Sequence, residues 1–216
     1  MIDWKAIEVA LPLLAKGSLM TLRVSVAAGL FACLLGITLG LLSLTKNEVM
    51  PRIVTGYVDF IRGTPLLIQI FLVFFALPAL GIRFDEIWAG TIALGLNGAG
   101  YVAEIVRGVV GSVERGQREA ALAIGMVESQ ILVYILLPQS IRAMLPPLTN
   151  ELITLLKSSS LLSVISVYEL TRAGQAVISI YFAPFEIYAL IAIYYYVIVK
   201  VLSTLSRWVE RRLPAW

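Results

Sequence analysis

Five stretches of this chain are long and apolar enough to cross a lipid bilayer, and that constrains its fold more than any other feature. They cover residues 20–44, 57–80, 87–110, a more polar stretch within 140–167, and 184–205. Inside hydrocarbon no water satisfies a free N–H or C=O. Each run of about 20 apolar residues must therefore pair its backbone internally, as a helix. The expected fold is all-α: five transmembrane helices in a single membrane domain over residues 1–216. The charge content agrees, since 14% of residues are Asp, Glu, Lys or Arg, against about 25% in a soluble domain. Two runs carry interruptions. Arg62-Gly63-Thr64-Pro65 cuts the second, and Pro146-Pro147 makes the fourth start kinked or late.

Between the third and fourth runs, residues 111–130 form the most hydrophilic long segment, with Glu114, Arg115, Gln117, Arg118, Glu119 and Glu128. Ala120, Ala121, Leu122 and Ala123 keep it helix-compatible, so a short amphipathic helix pair at a membrane surface is expected there. Basic residues orient the chain. Lys46, Arg52, Arg107, Arg115, Arg118, Lys200, Arg207, Arg211 and Arg212 fall on one side, and Lys5, Lys16, Arg83 and Arg172 on the other. The richer side is cytoplasmic. That puts the N-terminus outside and the C-terminus inside, with Trp208 and Trp216 near the inner interface. Residues 1–16 lack a basic leader and a small-residue cleavage site, and do not read as a secretory signal. A net charge of +3 gives no reason to expect nucleic acid. With no histidine and the single cysteine Cys33, no metal-ligand cluster, internal disulfide or catalytic residue is expected.

Gly95, Gly98, Ala99, Gly100 and Ala103 crowd the third run, which points to close helix packing. Gly36 and Gly40 form a small-xxx-small pair that is either a contact or the ordinary frequency of glycine in membrane helices. Asn97 falls near the middle of the third run. It is either an interhelical hydrogen-bond partner or a residue of a translocation path, and Thr64, Gln69 and Tyr101 are weaker candidates of the same kind. Glu151 and Lys157, with Ser158 beside them, lie deep in the fourth run. Six residues apart, they do not share a face of a straight helix. Glu151 suits an ammonium and Lys157 a carboxylate, unless each closes an internal salt bridge or the run breaks around 158–160. Glu104 with Arg107, and Asp59 with Arg62, read as local i,i+3 pairs.

The hydrophilic segment continues from Glu119 as EAALAIGMVESQILVYILLP, ending at Pro138. Ala120 and Ala121 allow close seating in a partner's groove, Gly125 allows a sharp turn, and Pro138 is expected to end the second helix. Glu119-Ala120-Ala121, Gly125, Ile135 and Leu137-Pro138 resemble, in spacing and setting, the EAA loop of binding-protein-dependent ABC importer permeases. Three further segments resemble the polar amino-acid branch of that family, the histidine/glutamine-type permeases. They are Gly17 to Leu22, Phe60 to Gln69, and Asn150-Glu151 followed by Leu155-Leu156-Lys157-Ser158.

The resemblance implies a type I importer permease of a bacterial inner membrane. Its coupling loop would span about 111–138, with Glu119, Ala120, Ala121, Gly125 and Pro138 contacting an ATPase. Implied partners are two ATP-binding subunits, a second permease (the same or homologous), a substrate-binding protein and a polar amino acid. The outer loop 168–183, with Glu169, Arg172 and Gln175, either faces that binding protein or is a solvated connector. Lys157-Ser158 follows leucines rather than glycines, so it is no phosphate-binding loop. The chain is expected to bind no cofactor and to be no enzyme, with ATP and Mg held by the partner. The rival readings are an ion-coupled transporter or channel, which leaves the loop pattern unexplained, and a membrane scaffold without transport.

Overall fold

In the computed structural model the described residues are 2–45 and 49–212, so Lys46 and Trp216 fall outside them. Four helices are long and apolar enough to cross a membrane, and five segments qualify once a sharply bent pair counts as one. The first, α1 (Trp4–Leu42), begins well before the expected residue 20. Its early turns carry Lys5, Glu8 and Lys16, which hide them from a hydropathy count. They stay helical because Asp3 caps them, accepting from the Ala6 N–H at 3.0 Å. They are also covered: Ala6, Ala10 and Leu14 pack against α8 (Leu170–Tyr181) and α9 (Pro184–Arg212). At 1.5 Å per residue α1 is about 58 Å long, nearly twice a hydrocarbon core of about 30 Å.

A stripe of small residues runs the length of α1 and sets its partner, α4 (Glu86–Gly111). A methyl on Gly36 would lie 2.8 Å from the Ala99 carbonyl oxygen, and one on Gly40 would lie 2.9 Å from that of Ala103. Gly36 and Gly40 are therefore contact residues, and backbone touches side chain along this seam. On the other faces of α4, Gly98 meets Leu155 and Gly100 meets Ile61, so the glycines crowded into the third run admit three neighbours at once.

The second run is broken rather than continuous. α2 (Val49–Gly63) and the stretch Leu66–Leu80, which opens with α3 (Leu66–Phe71), meet at 107°. Pro65 is extended, at φ −63° and ψ 135°, and its missing N–H ends the ladder of α2. From Phe71 the chain continues through a π-turn, Leu72–Ala76, and a 3-10 turn, Leu77–Leu80.

After α4 comes α5 (Arg115–Ala123), then Gly125 with φ +85°. This left-handed residue closes α5: its N–H donates to the Leu122 carbonyl at 2.9 Å, and the Met126 N–H to Ala121 at 3.1 Å. The second member of the expected helix pair is not a separate helix. α6 (Glu128–Ile131) runs through a π-turn, Leu132–Leu136, into α7 (Leu137–Ser158). Pro138 therefore does not end a helix. The π-turn adds one residue just before it, which moves aside the carbonyl its ring would strike. The fourth span also starts before Pro146-Pro147, not at or after them. It does change at 158–160, where α7 tightens into a 3-10 segment, Ser159–Ile165.

The stretch 168–183 is mostly α8, and Glu169 does not face solvent: it is 0% exposed. Its carboxylate caps α8, accepting from the N–H groups of Thr171 at 2.9 Å and Arg172 at 2.8 Å, and from the Tyr195 hydroxyl of α9 at 3.0 Å. Burial pushes this carboxyl above the usual range, against the downward pull of those donors.

Candidate functional site

Gln69 is the residue that makes the break in the second span tolerable. Its side-chain N–H groups reach the Ile61 carbonyl at 2.9 Å, the Thr64 carbonyl at 3.2 Å and the Thr64 hydroxyl at 2.9 Å. The Ile61 carbonyl is the one whose i+4 donor would have been Pro65, and the Thr64 carbonyl is left over because the chain turns there, with Ile68 donating to Pro65 instead. Its own oxygen accepts from the Asn97 amide of α4 at 3.0 Å. One buried side chain thus seals the end of α2 and ties it to α4, and broken backbone at this depth is tolerated where it lines a cavity.

Beside the break lies such a cavity, of about 340 Å³. Thr64, Pro65 and Leu66 line it from the break, Leu94, Asn97 and Tyr101 from α4, and Glu151, Thr154, Leu155 and Ser158 from α7. Both helical sets follow helix geometry, at i, i+3, i+7 on α4 and i, i+3, i+4, i+7 on α7. That rule also sorts the sequence candidates. Asn97, Tyr101, Glu151, Ser158 and Thr64 come together. Gln69 stands behind the wall, and Lys157 is exposed off the lining face. Thr154 was missed, although it shares a face with Glu151 and Ser158.

Glu151 is the single charged side chain among the described residues lining this cavity. Its carboxylate lies against α4, where a methyl on Gly98 would come 3.9 Å from one oxygen. It makes no hydrogen bond or ion pair with another described residue, so the internal salt bridge open from sequence is not formed. The other acidic group in this region is fully engaged. Glu104 accepts from Arg107 at 2.5 and 3.1 Å and lies 3.9 Å from Arg62. Arg62 is thus drawn across to α4 instead of pairing with Asp59 on its own helix.

The loop around α5 is built differently. Glu119 and Ala120 are exposed, Ala121 is 4% exposed and faces inward, and Gly125 and Pro138 are exposed. Leu122 and Ile124 present apolar surface, Ile124 at 78% exposure. Arg118 and Glu128 close the turn with hydrogen bonds of 2.5 and 3.1 Å, which hold the guanidinium above its usual range.

Residues 32–214 match the family of binding-protein-dependent transport system inner membrane components. The glutamine transport system permease protein GlnP of Escherichia coli (strain K12) is 38% identical over 98% of this chain and 97% of its own length. The arginine transport system permease protein ArtQ of Bacillus subtilis (strain 168) is 36% identical over 99% of this chain and 98% of its own. Among solved structures, an amino acid ABC transporter crystallised with histidines superposes with a TM-score of 0.92. It is 35% identical and covers 99% of this chain and 100% of its own. The methionine ABC transporter MetNI, in an inward-facing conformation, shares the fold at a TM-score of 0.83 and 21% identity, over 96% of this chain and 99% of its own. These likenesses favour the importer over the ion-coupled rival.

Proposed function

The chain belongs to the family of binding-protein-dependent transport system inner membrane components, and from that premise we propose that its mid-membrane cavity holds a polar amino acid during ATP-driven import. The observation that carries this reading is Glu151, which faces the cavity and pairs with no other described residue. An ionised carboxylate taken out of water without a partner costs several kcal/mol, and a substrate ammonium offsets that cost. Asn97, Tyr101, Thr64 and Ser158 supply uncharged hydrogen-bonding groups around it. Gln69 fixes Asn97 from behind.

In this reading the N-terminus is outside and the C-terminus cytoplasmic. The α5 loop seats Glu119, Ala120, Leu122 and Ile124 on a separate ATP-binding subunit, which holds ATP and Mg and does the hydrolysis. Two such subunits, a second permease chain and an extracytoplasmic binding protein complete the transporter. Gly125 and the seated Ala121 keep the loop in shape.

The test is reconstitution. The chain, purified with its associated proteins, is placed in proteoliposomes and offered labelled glutamine and arginine. Uptake is expected to require ATP and a binding protein, and Glu119→Arg is expected to abolish it by releasing the ATPase. Uptake that runs on an ion gradient without ATP overturns the reading.

A further inference from the structure

On the opposite flank from the cavity, α1 and α9 diverge over α7 and leave a groove of about 420 Å³. Its walls include Val26 and Leu30 of α1, Leu152 of α7, and Val197, Val201 and Leu205 of α9. Apart from Ser25 and Cys33 the lining is apolar. The groove opens outward: Val26 is 60%, Leu30 62% and Val201 64% exposed. We propose that this groove binds one anionic phospholipid of the cytoplasmic leaflet, its acyl chain between α1 and α9 and its phosphate at Arg211 and Arg212. The leaflet, though not the groove, rests on the orientation proposed above.

Three observations select a lipid. The first is continuity. Val201, Leu205, Trp208 and Arg212 follow one another on one face of α9 at spacings of four, three and four, so the apolar stripe ends in an aromatic ring and a cation. Arg212 lies over the Trp208 ring, 4.6 Å from its centroid. That places a preset cation where an aromatic belongs at a membrane interface. The second is length. From Val201 to Arg212 the helix rises about 16 Å, about half of a hydrocarbon core of about 30 Å, which is the depth of one leaflet. The third is the lining itself, whose polar side chains are Ser25 and Cys33 alone among the described residues, so it offers an occupant little but hydrocarbon contact. Charge decides the headgroup, because anionic lipids concentrate on the cytoplasmic surface and attract each Lys or Arg held near it.

The assembled transporter is reconstituted in nanodiscs of equal parts phosphatidylcholine and phosphatidylglycerol, and retained lipid is identified by native mass spectrometry. Phosphatidylglycerol is expected to be retained, one per copy of this chain. Retention is expected to fall about tenfold in the Arg211→Gln, Arg212→Gln double variant and in the groove-filling Val201→Trp. Both variants are checked for an unchanged thermal midpoint and for recovery of their partners; Leu205→Phe replaces Val201→Trp should the latter misfold. Equal retention of both lipids, undiminished retention in the double variant, or an oxidative Cys33–Cys33 cross-link between two copies overturns the proposal. The orientation is read separately, by impermeant thiol labelling of Arg207→Cys in a Cys33→Ala chain. Labelling from outside moves the site to the other leaflet without touching the lipid result.

Discussion

The cavity beside α4 and the loop around α5 are held in opposite ways. At the cavity the backbone is broken, and a buried amide, Gln69, repairs it with one bond to Ile61 of α2, two to Thr64 in the break and one from Asn97. At the loop nearly every side chain is exposed, and the shape rests on the left-handed Gly125, with one surface ion pair beside it that adds little. The cavity is over-determined by its own contacts, with one group, the half-buried Glu151, making no hydrogen bond or ion pair with another described residue. The loop is under-determined and presents unsatisfied surface throughout. A ligand-sized partner suits the first, and a protein-sized partner the second.

Four substitutions test this contrast. The largest effect is expected from Glu151→Gln. Losing one partner of a buried charge pair costs about 2–5 kcal/mol, which lowers substrate uptake by about 30-fold or more in proteoliposomes, while thermal stability holds or rises. A wild-type uptake rate would remove Glu151 from the site. Next is Gln69→Leu. It leaves the Ile61 and Thr64 carbonyls unpaired in a membrane interior, at about 1–3 kcal/mol for each unsatisfied group, and should lower the thermal midpoint of the purified chain. An unchanged midpoint would mean that the break does not depend on its amide. Gly125→Val forces a branched side chain into the left-handed region, at about 1–2 kcal/mol. It should weaken ATPase co-purification while leaving the melting of the membrane helices unaltered. If the membrane helices melt earlier too, the loop is not the independent unit drawn here. The smallest effect belongs to Arg118→Gln. Its exposed pair with Glu128 is screened by salt, so neither the midpoint nor ATPase recovery should move at physiological ionic strength.

The two regions also differed in how far they could be read in advance. The loop carried its meaning in sequence order, because Glu119, Ala120, Ala121 and Gly125 form a contiguous pattern that needs no distant contact. The third span was legible from its length and its crowded glycines. Glu151 and Asn97 could be named as polar residues at depth, but that they face one cavity depends on the bend at Pro65, which no local pattern fixes. Lys157 stands next to Ser158 in sequence and points elsewhere, because one residue on a helix turns the side chain by about 100°. Pro138 misled for the same reason in reverse. A local rule said stop, and a π-turn one step upstream removed the clash. Glu169 lay in what read as a loop, since its cover comes from α1 and α9, far away in sequence.

The π-turn at Leu132–Leu136 has a mechanical consequence. Because it lets Pro138 pass, α6 and α7 form one continuous helical rod from Glu128 to Ser158. Glu128 is paired to the α5 loop and Glu151 stands in the cavity, about 34 Å further along at 1.5 Å per residue. Pivoted at its loop end, the rod carries the Glu151 carboxylate about 3 Å for a tilt of about 5° at that arm length. A displacement of that size exceeds the tolerance of a hydrogen bond, so a tilt of a few degrees at the loop is enough to break a contact made at the Glu151 carboxylate.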